Sequence, residues 1–229
     1  MAIHPQTIVK LTEISATLER AADVGDVFAV SIGSSCGPAI RLREAGLQRL
    51  GRNFFDNIVC PVGAATDLIA NQFTDLLTLD AMGIGSYEGV PSATDKRYGI
   101  NFHHDFVVAN HEGAERVTLN GIRNGIASVR ARYHYLADKF VMIAQSSARK
   151  NFYLRAADGS AFAVSQIHAL DNAIRHIGGR NFEVIGIYGT GEPAHGAPQY
   201  FLPEIDERWG AAAAWAKVAA TVNETRRAA

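Results

Sequence analysis

The feature that most narrows the fold is a junction near the start of the chain. Val27-Phe28-Ala29-Val30-Ser31-Ile32 is a short, β-prone apolar run that stops at Gly33. Ser34-Ser35-Cys36-Gly37-Pro38 follows at once and leads into Ala39-Ile40-Arg41-Leu42-Arg43-Glu44-Ala45-Gly46. Ser and Cys near the start, a proline in the first turn and a glycine just past the end mark a short helix. The reading is strand, tight turn, helix, with Cys36 close to the helix N-terminus.

The rest of the chain repeats this alternation. Residues 1–25 read as an amphipathic helix with Ile8, Leu11, Ile14, Leu18 and Ala21 on one face. Asn53 to Pro61 reads as a loop running into a short extended segment, and Thr66 to Leu79 as a helix with Leu68, Ile69, Phe73, Leu76 and Leu77 inward. Gly83 to Arg97, rich in Gly, Ser, Pro and charge, reads as a surface loop, and Tyr98 to Val108 as extended and partly buried. A long helix follows, in which Val129, Tyr133, Leu136, Phe140 and Ile143 recur at spacings of four and three. Asn151–Leu154 and Phe182–Tyr188 read as strands, with an amphipathic helix over Gln166–Ile177 between them and Gly178 as its stop. Gly189–Pro203 reads as loop and Gly210–Thr225 as an alanine-rich terminal helix. Helices alternating with short apolar strands predict an α/β fold: one layered domain over residues 1–229, its body at 26–225, with a central sheet flanked by helices.

Composition closes off several classes of function. The 229 residues are 48% hydrophobic and 20% charged, as in globular domains, and 22 basic against 23 acidic side chains leave a formal net charge of -1. The charges are mixed along the chain with no basic stripe or arm, so no nucleic-acid partner is expected. No apolar run approaches the roughly 20 residues needed to cross a bilayer, and the N-terminus lacks the pattern of a secretory signal. Two cysteines and no export signal point to reduced thiols and a cytoplasmic setting. Tyr188-Gly189-Thr190-Gly191 follows a strand but lacks the full dinucleotide or phosphate-loop pattern, so it reads as a turn and no cofactor is expected.

Cys36 is the strongest candidate for chemistry. The positive end of a helix favours a thiolate and can stabilise a developing oxyanion, while Gly33 and Gly37 let a substrate carbonyl approach the backbone. Such a thiol needs a base that is near in the fold and distant in sequence. Of the eight histidines, His103 and His104 lie in an apolar extended segment and are followed by Asp105. Strand alternation sets the two rings on opposite faces, so one of them at most is expected at the site, and no metal centre is expected. Cys60, before Pro61, reads as packing. Asp56, between Phe54-Phe55 and Ile58-Val59, is a carboxylate in an apolar setting, suited to anchoring a loop or to orienting a catalytic histidine.

Several blocks carry a family resemblance. VSIGSSCGPAIRLREAGL, NFFDNIVCP, DKRYGINFHHDF, RKNFYLRA and the late ERWGAAAAW together resemble the papain-like cysteine peptidase family of bacterial proteins, over roughly residues 26 to 220. The resemblance implies a thiol hydrolase whose cysteine falls on Cys36 and whose histidine falls on His104. The acidic residues of its two blocks fall on Asp56 and Asp105. The chain departs from the pattern at Asn57, where an aromatic residue is usual, and at Cys60, where a small hydroxyl residue is usual. In papain-like folds the nucleophile opens a long helix after a loop, whereas here an apolar strand runs straight into the turn, as in other hydrolases and acyltransferases. The Gly-Ser-x-Cys turn is similar as well to the Gly-Asn-Cys turn of capsule-cluster acyltransferases that bind coenzyme A.

The expected reaction is therefore acyl chemistry through a Cys36 thioester on a peptide, amide or acyl substrate. His104 takes the thiol proton and returns one to the leaving group. Backbone N–H groups around Ser35, Cys36 and Gly37 hold the oxyanion, with Ser34 as a side-chain donor. Asp56 is preferred over Asp105 for orienting the imidazole, because a direct bond between sequence neighbours is geometrically awkward. Water as acceptor makes a peptidase or amidase, and a sugar hydroxyl or an amine makes an acyltransferase. The rival is a non-catalytic binding or accessory domain in which Cys36 is only packed.

Overall fold

The computed structural model describes residues 5–33, 35–109, 115–156, 158–190, 192, 196, 198–202 and 212–228. In chain order its elements begin with α1 (Pro5–Val24), β1 (Val27–Ile32), α2 (Gly37–Glu44), a 3-10 turn (Phe54–Asn57) and α3 (Val62–Ala70). Five short strands follow: β2 (Met82–Tyr87), β3 (Val90–Asp95), β4 (Ile100–Phe102), β5 (Val107–Ala109) and β6 (Glu115–Val117). The chain ends with α4 (Leu119–Gln145), β7 (Arg149–Arg155), α5 (Val164–His176), β8 (Phe182–Tyr188), β9 (Gln199–Phe201) and α6 (Ala212–Ala228).

A strand that is apolar on both faces needs cover on both faces. β1 obtains it in a four-stranded parallel sheet of order β1-β7-β8-β9. Phe28, Val30 and Ile32 join Phe152, Leu154, Phe182 and Val184 in the larger core cluster, which includes residues of α3, α4 and α5. The alternate residues Ala29, Tyr153, Ile185 and Ile187 join Leu42 of α2 and Trp215, Val218 and Val222 of α6. The sheet is thus the middle layer of three, as the alternation of strands and helices predicts. Phe54, Phe55, Phe73 and Phe140 fill the larger cluster with edge-on and tilted ring contacts at centroid distances of 4.5–6.2 Å. Among the described residues no helix is long and apolar enough to cross a membrane.

Three readings of the sequence change. Helix α3 covers Val62–Ala70 rather than Thr66–Leu79, and Gln72, Phe73, Asp75 and Leu77 beyond it take left-handed φ values of 52–59°, which no helix continues through. Leu68, Ile69, Phe73, Leu76 and Leu77 are nonetheless buried. The expected surface loop at 83–97 is mostly a hairpin, β2 and β3 paired across Glu88-Gly89, both at positive φ (53° and 80°) as a tight two-residue turn requires. Its glycines make room for cross-strand side chains: a Cβ at Gly85 would lie 2.2 Å from Thr94 Oγ1. Within the expected loop 189–203, Gln199–Phe201 adds a short parallel strand beside β8.

Candidate functional site

The site begins where β1 ends. Gly33 takes φ +64°, and a Cβ there would come within 3.0 Å of the Cys60 carbonyl, so the turn needs glycine for both its conformation and its neighbour. Cys36 is the N-cap of α2 (φ -75°, ψ -18°), its carbonyl accepting from the Ile40 N–H at 3.1 Å, with Pro38 in the first turn. This is the placement read from the sequence: a thiol against the first N–H groups of a helix, where unpaired donors and the helix dipole favour negative charge. Ser35 is buried and its Oγ has no hydrogen-bond partner among the described residues. Ser34 lies outside the described residues.

Two distant segments are tied to this turn. Cys60, whose carbonyl packs on Gly33, follows Val59, and Val59 forms an antiparallel bridge with Asn101 in β4 (N–H to carbonyl 3.0 and 2.9 Å). β4 ends one residue later at Phe102. The Phe102 carbonyl accepts from the Asp105 N–H at 3.1 Å, closing a four-residue turn with His103 and His104 as its two central residues.

That turn overturns the expectation of opposite faces. Alternation holds only while a chain stays extended, and here the strand stops before the pair. The His103 and His104 rings lie 3.9 Å apart between centroids, and one ligand atom each from Cys36, His103 and His104 lies within 4.8 Å of the others. Both imidazoles, not one, therefore share the site with the thiol. His103 is half-buried, with the Tyr87 ring 5.1 Å away, and His104 is exposed. Burial pushes the His103 pKa down to about 4, with the adjacent His104 pushing the same way and Glu88 opposing, so His103 is neutral at physiological pH. The sequence signal for His103 was present as a doublet before an aspartate, but the strand period pointed it away.

The two acids brace the frame. Asp105 accepts from Arg132 through one oxygen and from the Tyr133 hydroxyl, at 2.8 Å, through the other, which pins the histidine turn to α4. Asp56 is fully buried in the 3-10 turn. Its Oδ2 accepts from the Asn53 N–H at 2.7 Å and from Gln48 Nε2 at 2.5 Å, tying the turn to the segment that leaves α2. Among the described residues its Oδ1 has no hydrogen-bond partner, and neither acid bonds an imidazole. Burial pushes the Asp56 pKa up to about 6 against the pull of those two donors, Arg43 and Lys139. Cys60 is fully buried, which pushes its thiol pKa up and leaves it packed, as its sequence context suggests.

Ligands of parallel sheets bind beyond the carboxyl ends of the strands. A cavity of about 410 Å³ lies there, beside the Gly33 turn, lined by Val59, Pro61, Leu154, Phe162 and Gln166 among others. Gln199 holds its far wall by accepting from the Phe162 N–H and donating to the Phe162 carbonyl, both at 2.9 Å. A larger cavity of about 550 Å³ lies between α1 and α4, and neither cavity is lined by Cys36, His103 or His104.

The chain matches no family model, no curated protein and no solved structure.

Proposed function

We infer that the chain is a thiol-dependent acyl hydrolase, a peptidase or amidase working through a thioester on Cys36. The observation that carries the reading is the thiol at the head of α2, at the carboxyl end of a parallel sheet, with imidazoles brought to it from a separate turn. His104 is the base, being exposed and able to exchange protons with solvent, while the neutral, half-buried His103 supports the turn. His104 removes the Cys36 proton, and the sulfur attacks the substrate carbonyl to form a tetrahedral oxyanion facing the N–H groups at the head of α2, the Ser35 N–H being given to the Gly33 carbonyl at 3.1 Å. Collapse expels the amine or alcohol, which takes the proton from His104. Water then cleaves the thioester, releasing the acid and restoring the thiol.

The test is to trap the intermediate with an activated aryl ester and to locate the acyl group by mass spectrometry. The reading expects acylation on Cys36, lost in Cys36→Ser and slowed about 100-fold or more in His104→Ala, the scale of general-base catalysis. Acylation of surface amines alone, or none, would remove the thioester mechanism.

A further inference from the structure

The same three side chains can do something the thioester mechanism does not use. A thiolate sulfur and two imidazole nitrogens are the donors that hold borderline-soft divalent cations such as zinc. In this protein they come from two segments more than sixty positions apart in sequence and lie within 4.8 Å of one another. A tetrahedral zinc ion, with bonds of about 2.3 Å to sulfur and 2.0–2.1 Å to nitrogen, needs donors roughly 3.5 Å apart. Closing from the observed separation takes movements of about 1 Å or less in each side chain, within reach of small rotations of the exposed His104 and the half-buried Cys36.

A second observation points the same way. His103 Nδ1 is buried and has no hydrogen-bond partner among the described residues, so that lone pair or proton is not used by the protein. A buried polar atom of this kind is costly unless some ligand satisfies it. A metal held through Nδ1 would do so. His104 is exposed, so the cluster can be reached from solvent on its side.

We propose that Cys36, His103 and His104 form a three-donor site for a divalent cation of the zinc type, with a fourth coordination position left to water. Binding releases the Cys36 thiol proton to solvent, forms one metal–sulfur and two metal–nitrogen bonds, and involves no redox step. The bound metal draws electron density from the Cys36 sulfur and crowds it, so metal binding slows thiol alkylation. The site shares the Cys36 thiolate with the acyl mechanism but does not depend on the thioester.

The test uses the full chain, stripped with chelator and titrated with cobalt(II) alone. The proposal expects saturation at a single ion per chain, with a thiolate-to-cobalt charge-transfer band and the intense visible bands of tetrahedral cobalt, displaced by zinc. Cys36→Ser abolishes the charge-transfer band, whereas Cys60→Ser keeps it. His103→Ala and His104→Ala each weaken binding at least about tenfold, because loss of even an outer-shell partner costs that much. Circular dichroism confirms that each variant is folded, and the exposed His104 makes His104→Ala the variant least exposed to misfolding. Absence of the band, its survival in Cys36→Ser, or indifference to both histidine changes would overturn the proposal. Reactive Cys36 in chelated protein that binds no cobalt sinks the metal site and leaves the acyl mechanism standing. Cobalt binding with an inert Cys36 in chelated protein does the reverse.

Discussion

Asp56→Asn should flatten the dependence of stability on pH across the acid range. Asp56 titrates at about 6 in the fold against 3.8 for the ordinary group, because burial outweighs the two N–H donors on Oδ2 and the attraction of Arg43 and Lys139. A folded-state pKa raised above the unfolded value means that the folded protein holds the proton more tightly. The associated stability is complete below about pH 3.8 and is lost as pH rises through about 6. At about 1.4 kcal/mol per pH unit, the difference between 3.8 and 6 amounts to about 3 kcal/mol. Asparagine imitates the protonated acid: its oxygen can accept both bonds now made to Oδ2, and its amide fills the place of Oδ1, which has no partner. Urea unfolding of both proteins between pH 4 and 7.5 should therefore show matched stability at the acid end, and a gap growing to about 3 kcal/mol in favour of the variant at the neutral end. Lys139, lowered to about 8 mainly by burial, contributes in the opposite sense but above this window. Parallel curves, or a variant equally destabilised at every pH, would refute the account of Asp56 as a buried carboxylate held against its solvation.

Other substitutions probe the frame of the site. Gly33→Ala places a side chain at φ +64° and against the Cys60 carbonyl; it should cost about 1–3 kcal/mol in urea unfolding and slow Cys36 alkylation by displacing the turn. Asp105→Asn keeps an acceptor for Tyr133 but gives up the ion pair to Arg132; it should cost about 1–2 kcal/mol and slow Cys36 reactions through misplacement of the histidine turn. The same loss of stability with an unchanged alkylation rate would show that Asp105 holds the fold and not the site.

The sequence made the central sheet and its helices legible because their signals are local. β1 is a short apolar run broken only by Ser31, α4 repeats its apolar residues over 27 positions, and Gly33 and Pro38 punctuate the Cys36 turn. What escaped depends on partners far along the chain. Gly83 and Gly85 look like loop residues until Lys96 and Thr94 are seen lying across them. His103 and His104 obey strand alternation until the Phe102–Asp105 hydrogen bond folds them to one side. Asp56 fits either an anchor or an orienting group, and only the positions of Asn53 and Gln48 show what its carboxylate holds. Cys36 was legible because a helix N-terminus is a local fact; its imidazole neighbours were half legible because the Val59–Asn101 bridge that brings them in is not.

The central claim is that Cys36 is an activated thiol, and iodoacetamide labelling of chelated, folded protein tests it most directly, with Cys60 read in the same digest. The account predicts rapid labelling of Cys36 at neutral pH, with a midpoint below the ordinary thiol value of about 8.5, and labelling of the buried Cys60 only after unfolding. Equal labelling of the two, or a Cys36 that reacts only in denaturant, would contradict it.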